Sequence, residues 1–140
     1  MMMEENTCCF IGHRDCPGIE DVIYQTIERL IEYNIQYFLS GGMGNFDWLC
    51  ERAVKKAKGR LIYVPYNHAR RIDNHDMYYS DIIYPNSNTF YTRYDIPKRN
   101  FWMVDHACVA LCYVTRAGNA MKTYEYAYKK GLKVINLANQ

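Results

Sequence analysis

The chain has no apolar run that approaches the length of a transmembrane helix, and Met1 to Thr7 carry Glu4 and Glu5 instead of a signal-peptide core. A cytoplasmic location with no membrane partner is therefore expected. No Cys-x-x-Cys pair occurs among the six cysteines, and the four histidines are scattered, so no metal site is expected. Reduced thiols follow from the compartment, and Cys8 and Cys9, adjacent in an apolar run, must face opposite sides of a strand. They read as small buried hydrophobes. A large charge of one sign is also missing. The formal net charge of +2 gives no general affinity for nucleic acid or anionic membranes. The cluster Lys55, Lys56, Lys58 and Arg60 reads as a solvated helix end, where cations complement the dipole. No linker, repeat or low-complexity segment divides residues 1–140, so a single domain is expected.

What the chain has in quantity is tyrosine: fourteen residues, several of them between Tyr78 and Tyr94. They suit a ligand wall, an oligomer interface or a half-buried surface. With Trp48 and Trp102 they offer anchors for a homo-oligomer, although Trp48 also stands close enough to a glycine turn to line a pocket.

Apolar runs alternate with amphipathic ones. Thr7 to Ile11 reads as a strand, and Ile19, Val22, Ile23, Ile27, Leu30 and Ile31 mark a helix over Gly18 to Tyr33. A second strand, Ile35 to Leu39, precedes a helix carrying Phe46, Leu49, Cys50, Ala53, Val54 and Ala57. Leu61 to Val64 is a third strand. The polar, aromatic stretch that follows predicts a short helix near Asp76 to Ile83 and an insertion or lid over about 67–99. Pro97 opens another helix with Phe101 and Val104. Cys108 to Val114, a helix with Met121, Tyr124 and Tyr128, and a strand over Val134 to Leu137 complete the chain. The expected fold is α/β, a Rossmann-like three-layer α/β/α domain with a five-stranded, mostly parallel sheet.

Right-handed crossovers place the strand C-terminal ends along one edge, where such sheets bind ligands. Three segments collect there: Gly12-His13-Arg14-Asp15, Ser40-Gly41-Gly42-Met43-Gly44-Asn45-Phe46-Asp47, and Thr115-Arg116-Ala117-Gly118-Asn119. The glycine turn is suited to phosphate: backbone N–H groups can approach closely, the next helix points its positive end there, and Ser40 can donate. Its spacing matches neither GxGxxG nor GxxxxGK[ST], so a ligand-free β–α turn is the competing reading. Asp47 can satisfy the helix end, accept from a sugar hydroxyl or pair with Arg14. Arg14 is a candidate phosphate fork, and His13 either orients it, contacts a base or serves the turn. Arg99 and Asn100 can reach the same edge or form a helix-surface pair. Arg116 stands beside Gly118, which permits close approach at the last helix.

In this order, Cys8-Cys9-Phe10-Ile11-Gly12-His13-Arg14, the Ser40–Asp47 turn, Arg99-Asn100 with Met103-Val104-Asp105, and the Gly118–Ala127 helix resemble the SLOG superfamily, and within it the YpsA-like proteins of bacteria. The resemblance covers nearly the whole chain. It implies a Rossmann-like fold and a pocket for nucleotides or nucleotide-derived ligands. The Ser40–Asp47 turn is also similar to a segment of DprA, which implies single-stranded DNA as an alternative ligand. Gly118-Asn119-Ala120-Met121-Lys122 is similar to the GTxxE of LOG phosphoribohydrolases and nucleoside deoxyribosyltransferases. Here Asn119 replaces the threonine and Lys122 the glutamate, and Glu125 stands three residues late.

The expected function is thus binding, or sensing, of a small nucleotide or nucleotide-sugar ligand. The alternatives are a hydrolase or transferase acting on an N-glycosidic bond and a single-stranded DNA binder. In the enzyme reading, Asp47, Glu125 or Asp105 would supply the acid or base.

Overall fold

The computed structural model describes residues 3–67, 77–85 and 92–139. Its strands are β1 (Thr7–Gly12), β2 (Tyr37–Ser40), β3 (Arg60–Tyr63), β4 (Asp81–Ile82), β5 (Val109–Tyr113) and β6 (Lys133–Asn136). Its helices are α1 (Glu20–Glu32), α2 (Asn45–Lys56), α3 (Asp95–Asp105) and α4 (Asn119–Lys129). The strands form one parallel sheet in the order β4-β3-β2-β1-β5-β6. Strand order therefore reverses at β1. Successive strands step outward to β4 on one side, and β5 then returns to pair along the other side of β1.

Among the described residues the sheet has six strands, one more than expected. The addition is β4, whose Asp81 and Ile82 sit opposite Ile62 and Tyr63. These residues lie where a short helix over Asp76–Ile83 was expected, and residues 77–83 form no helix. A two-residue edge strand has too few side chains to show alternation, so the sequence carries no period for it. Of the expected insertion over 67–99, residues 68–76 and 86–91 lie outside the described residues. Pro97 and Arg99 belong to α3, which packs on the sheet and begins two residues before Pro97.

Each face of the sheet has its own core. Cys8 and Phe10 point toward α1 and α2, joining Ile23, Ile27, Leu30, Phe46, Leu49, Cys50 and Val54. Cys9 and Ile11 point the other way, joining Met103 and Val104 of α3, Ala107 just after it, and Ala127 of α4. The adjacent cysteines thus face opposite layers, as strand geometry requires. Burial pushes the Cys9 thiol up to about 12, a value at which it packs as a neutral hydrophobe. On α4 the buried residues are Thr123 and Ala127, while Tyr128 is exposed. No described helix is long and apolar enough to cross a membrane.

Candidate functional site

A cavity of about 310 Å³ opens at the C-terminal ends of β1 and β5, the place where strand order reverses. The end of β1 and the loop after it contribute Gly12, His13 and Arg14, and the β5–α4 loop and the start of α4 contribute Arg116 to Asn119. Asp47, Arg99, Asn100 and Thr123 line it from the helices. Of the twelve residues assigned to a site from sequence, eight line this cavity: Gly12, His13, Arg14, Asp47, Arg99, Asn100, Arg116 and Gly118. Gly42 and Gly44 instead line an adjoining hollow of about 300 Å³ with Arg14, Met43 and Trp48. Ser40 and Gly41 line neither.

The glycine turn is folded onto the protein instead of being held open. Ser40 Oγ donates to Glu51 Oε2 at 2.6 Å and accepts from the Gly42 N–H at 3.1 Å. The Met43 N–H donates to Asp47 Oδ2 at 3.0 Å. Two N–H groups suited to phosphate are therefore satisfied internally, and Ser40 is buried away from the cavity. A Cβ on Gly41 would come within 2.7 Å of the Arg99 guanidinium carbon. Gly41 is small because Arg99 lies over it.

Arg99 is buried, and its Nη1 donates to the carbonyls of Gly41 at 3.0 Å and Val64 at 2.9 Å. Its Nε donates to Asn100 Oδ1 at 2.8 Å. The guanidinium thus ties α3 to the ends of β2 and β3, while its charge faces Asp47. Burial raises the Asp47 carboxyl to about 7; the Met43 N–H and Arg99 oppose this, and Glu51 adds to it. Glu51 stands one helical turn further along α2 and is held by Ser40 and by Tyr79, whose hydroxyl lies 3.1 Å from Oε1. Its carboxyl is also raised, chiefly by burial. Neither Glu51 nor Tyr79 belongs to a motif that marks the site in the sequence. The available signal was the i, i+4 spacing of Asp47 and Glu51, which places both acids on one helical face.

His13 serves its turn. Its Nε2 accepts the Thr115 N–H at 2.9 Å, which puts the ring proton on Nδ1. Burial, then Arg116, lowers its pKa below the ordinary imidazole value, against the pull of Asp15. The ring is neutral and bridges the loops after β1 and β5. Across the rim, Arg116 Nη2 meets Asp15 Oδ1 at 2.6 Å in an exposed pair. The Arg14 side chain is exposed and has no hydrogen-bond or ion-pair partner among the described residues. Asp47 therefore does not pair with Arg14, and its positive neighbour is Arg99.

The other helix end on the cavity is that of α4. Gly118 precedes it with φ of +139°, nothing lies within 4 Å of where its Cβ would be, and no side chain caps the helix. No acidic residue occupies the first turn. The start of α2 likewise has no side-chain cap, but its first turn carries Asp47 and the turn before it is closed by Ser40 and Asp47.

Solved structures share this architecture. The DNA processing protein A of Streptococcus pneumoniae matches with a TM-score of 0.71 at 16% identity, over 91% of this chain and 48% of its own. The Helicobacter pylori protein of that name, described for its single-stranded DNA binding mode, matches with 0.70 at 14% identity, over 91% of this chain and 63% of its own. The molybdenum cofactor binding protein of Rippkaea orientalis matches with 0.67 at 18% identity, over 97% and 77%. The likeness is one of fold. The chain spans about half the length of the S. pneumoniae protein. No protein-family model matches the sequence, and no curated protein does.

Asp47 is the one carboxylate lining the cavity among the described residues. Glu125 and Lys122 are exposed on α4 outside the lining, and Asp105 lies at the far end of α3, bonded to Tyr126 at 2.7 Å. Of the basic cluster, Lys55 donates to the Tyr78 carbonyl at 2.7 Å, and Lys56 lies 4.5 Å from the centre of the Tyr24 ring. Arg60 lies 5.7 Å from that of Tyr37. The cluster runs from the last turn of α2 to the start of β3, at the opposite edge of the sheet from the cavity.

Proposed function

We propose that the chain binds a nucleotide or nucleotide-derived ligand in the β1–β5 crevice, with a phosphate against the start of α4 and the side chain of Arg14. The observation that carries this reading is the end of α4 behind Gly118, free of a side-chain cap or a first-turn acid and opening on the cavity beside Arg14, which has no partner among the described residues. Orphan N–H groups and the helix dipole favour an anion there, and a guanidinium matches phosphate geometry. Arg116 can add a second contact, because an exposed pair such as Arg116–Asp15 is readily exchanged for one with an incoming anion. The phosphate role expected of Ser40 to Gly44 thus moves to Gly118 to Ala120, and the glycine turn becomes the support for Arg14.

Thermal denaturation against nucleoside mono- and diphosphates and nucleotide sugars tests the reading. A ligand at a hundred times its dissociation constant adds about 2.7 kcal/mol of stability, a rise of several degrees for a domain of this size. Arg14→Ala is expected to remove most of that rise. No rise with any member, or an equal rise in the variant, contradicts the reading.

Single-stranded DNA is the second reading, favoured by the likeness to two DNA processing A proteins. A fluorescence anisotropy titration with a labelled oligonucleotide separates it: binding that weakens steeply with salt supports DNA, and a flat trace at low salt removes it. An N-glycosidic enzyme has less support. The lining places Asp47 alone in reach, without a second carboxylate to share acid and base roles.

A further inference from the structure

The geometry points to a second subsite: the hollow beside Trp48 takes the flat ring of a nucleobase while the phosphate of the same molecule lies in the crevice. This inference rests on the phosphate reading above and names the ligand class as nucleotide instead of sugar phosphate or free phosphate.

The two spaces adjoin. Arg14 and Met43 line both, so a ligand filling one passes that pair to enter the other. The hollow holds about 300 Å³, at the lower end of small-molecule sites. Its lining is Arg14, Gly42, Met43, Gly44 and Trp48, with no carboxylate. Two glycine backbones, a polarisable thioether, an indole and a guanidinium suit a planar, polarisable ring.

Trp48 itself needs an explanation. It lies in the first turn of α2 between buried neighbours, Asp47 and Leu49, yet it is 51% exposed. Its ring pairs with no aromatic ring or cation among the described residues. Trp102, by contrast, stacks on His106 with centroids 4.0 Å apart. An exposed indole at the mouth of a hollow is a stacking platform, and every base offers a π-face to it. Arg14 stands at the junction, where its plane can stack on the ring or its N–H groups can reach the phosphate.

The test uses Trp102→Phe protein, in which Trp48 is the one remaining tryptophan. Fluorescence is titrated with the four nucleoside 5′-monophosphates, ribose 5-phosphate and inorganic phosphate. At least one nucleotide is expected to quench Trp48 and to bind roughly five- to a hundredfold more tightly than ribose 5-phosphate, the range stacking supplies. Affinities of Trp48 variants are read by calorimetry. Trp48→Ala is expected to abolish the nucleotide's advantage while leaving ribose 5-phosphate affinity unchanged, and Trp48→Phe to restore part of that advantage. Equal binding of nucleotide and ribose 5-phosphate, or an equal loss for both in Trp48→Ala, overturns the base subsite and leaves the phosphate site standing. No binding by any probe overturns both.

Discussion

The backbone of Arg14 rests on Gly44. A Cβ on Gly44 would come within 2.6 Å of the Arg14 Cα, and the Arg14 carbonyl accepts the Asn45 N–H at 3.0 Å. The loop after β1 and the turn before α2 are therefore one packed unit, with Gly44 at φ of +101° as its joint. Glycine is required here twice over, for the positive φ and for the close approach.

Gly44→Ala is accordingly expected to lose about 1–3 kcal/mol of stability, from the strained φ and the displaced loop. Because the same loop aims Arg14, affinity for a phosphate ligand is expected to fall with it, even at temperatures where the variant stays folded. Chemical denaturation and calorimetry on one preparation check both. A variant as stable as the parent contradicts this packing.

Arg99 holds carbonyls of two strands together and faces a buried acid. Arg99→Ala leaves the Gly41 and Val64 carbonyls without that donor and Asp47 without its cation, a loss of about 2–5 kcal/mol. Arg99→Lys is expected to recover only part of this, because an ammonium lacks the planar fork. Denaturant midpoints measure the difference. Full recovery with lysine would show that charge alone suffices.

Asp47 gives the domain a pH dependence of defined sign. Its carboxyl is raised from about 3.8 to about 7 by burial, so the folded chain holds a proton that the unfolded chain has lost over that interval. Stability is therefore expected to fall as pH rises from about 4 to about 7, and to level off above it. The groups facing Asp47 are Arg99 and the Met43 N–H, which oppose the shift, and Glu51, which adds to it and contributes a slope of the same sign. Asp47→Asn should flatten the profile without abolishing it. A phosphate ligand shares the cavity, so its affinity is also expected to drop between pH 6 and pH 8, less in Asp47→Asn than in the parent. Equal slopes in the two proteins count against Asp47 as the titrating group.

Periodicity and turn residues made most of this architecture legible. The apolar stripes of α1 and α2, the opposed Cys8 and Cys9, and the collection of three loops at one sheet edge all follow from local spacing. Two elements did not. β4 is too short to carry a pattern, and the partners of the glycine turn are distant in sequence: Ser40 with Glu51, Gly41 with Arg99, Gly44 with Arg14. A glycine that admits a ligand and a glycine that admits a neighbouring side chain look alike in sequence. The distinction requires knowing what fills the space, and at Gly118 alone of these the space is open.

Backbone amide NMR shifts during titration with a nucleoside 5′-monophosphate test the central claim most directly, since they locate the phosphate by residue. The amides of Gly118, Asn119 and Ala120 are expected to shift most, with those of Gly42 and Met43 moving less because Ser40 and Asp47 already hold them. Shifts centred on Gly42 and Met43, with the start of α4 unmoved, would return the phosphate to the glycine turn and contradict the account.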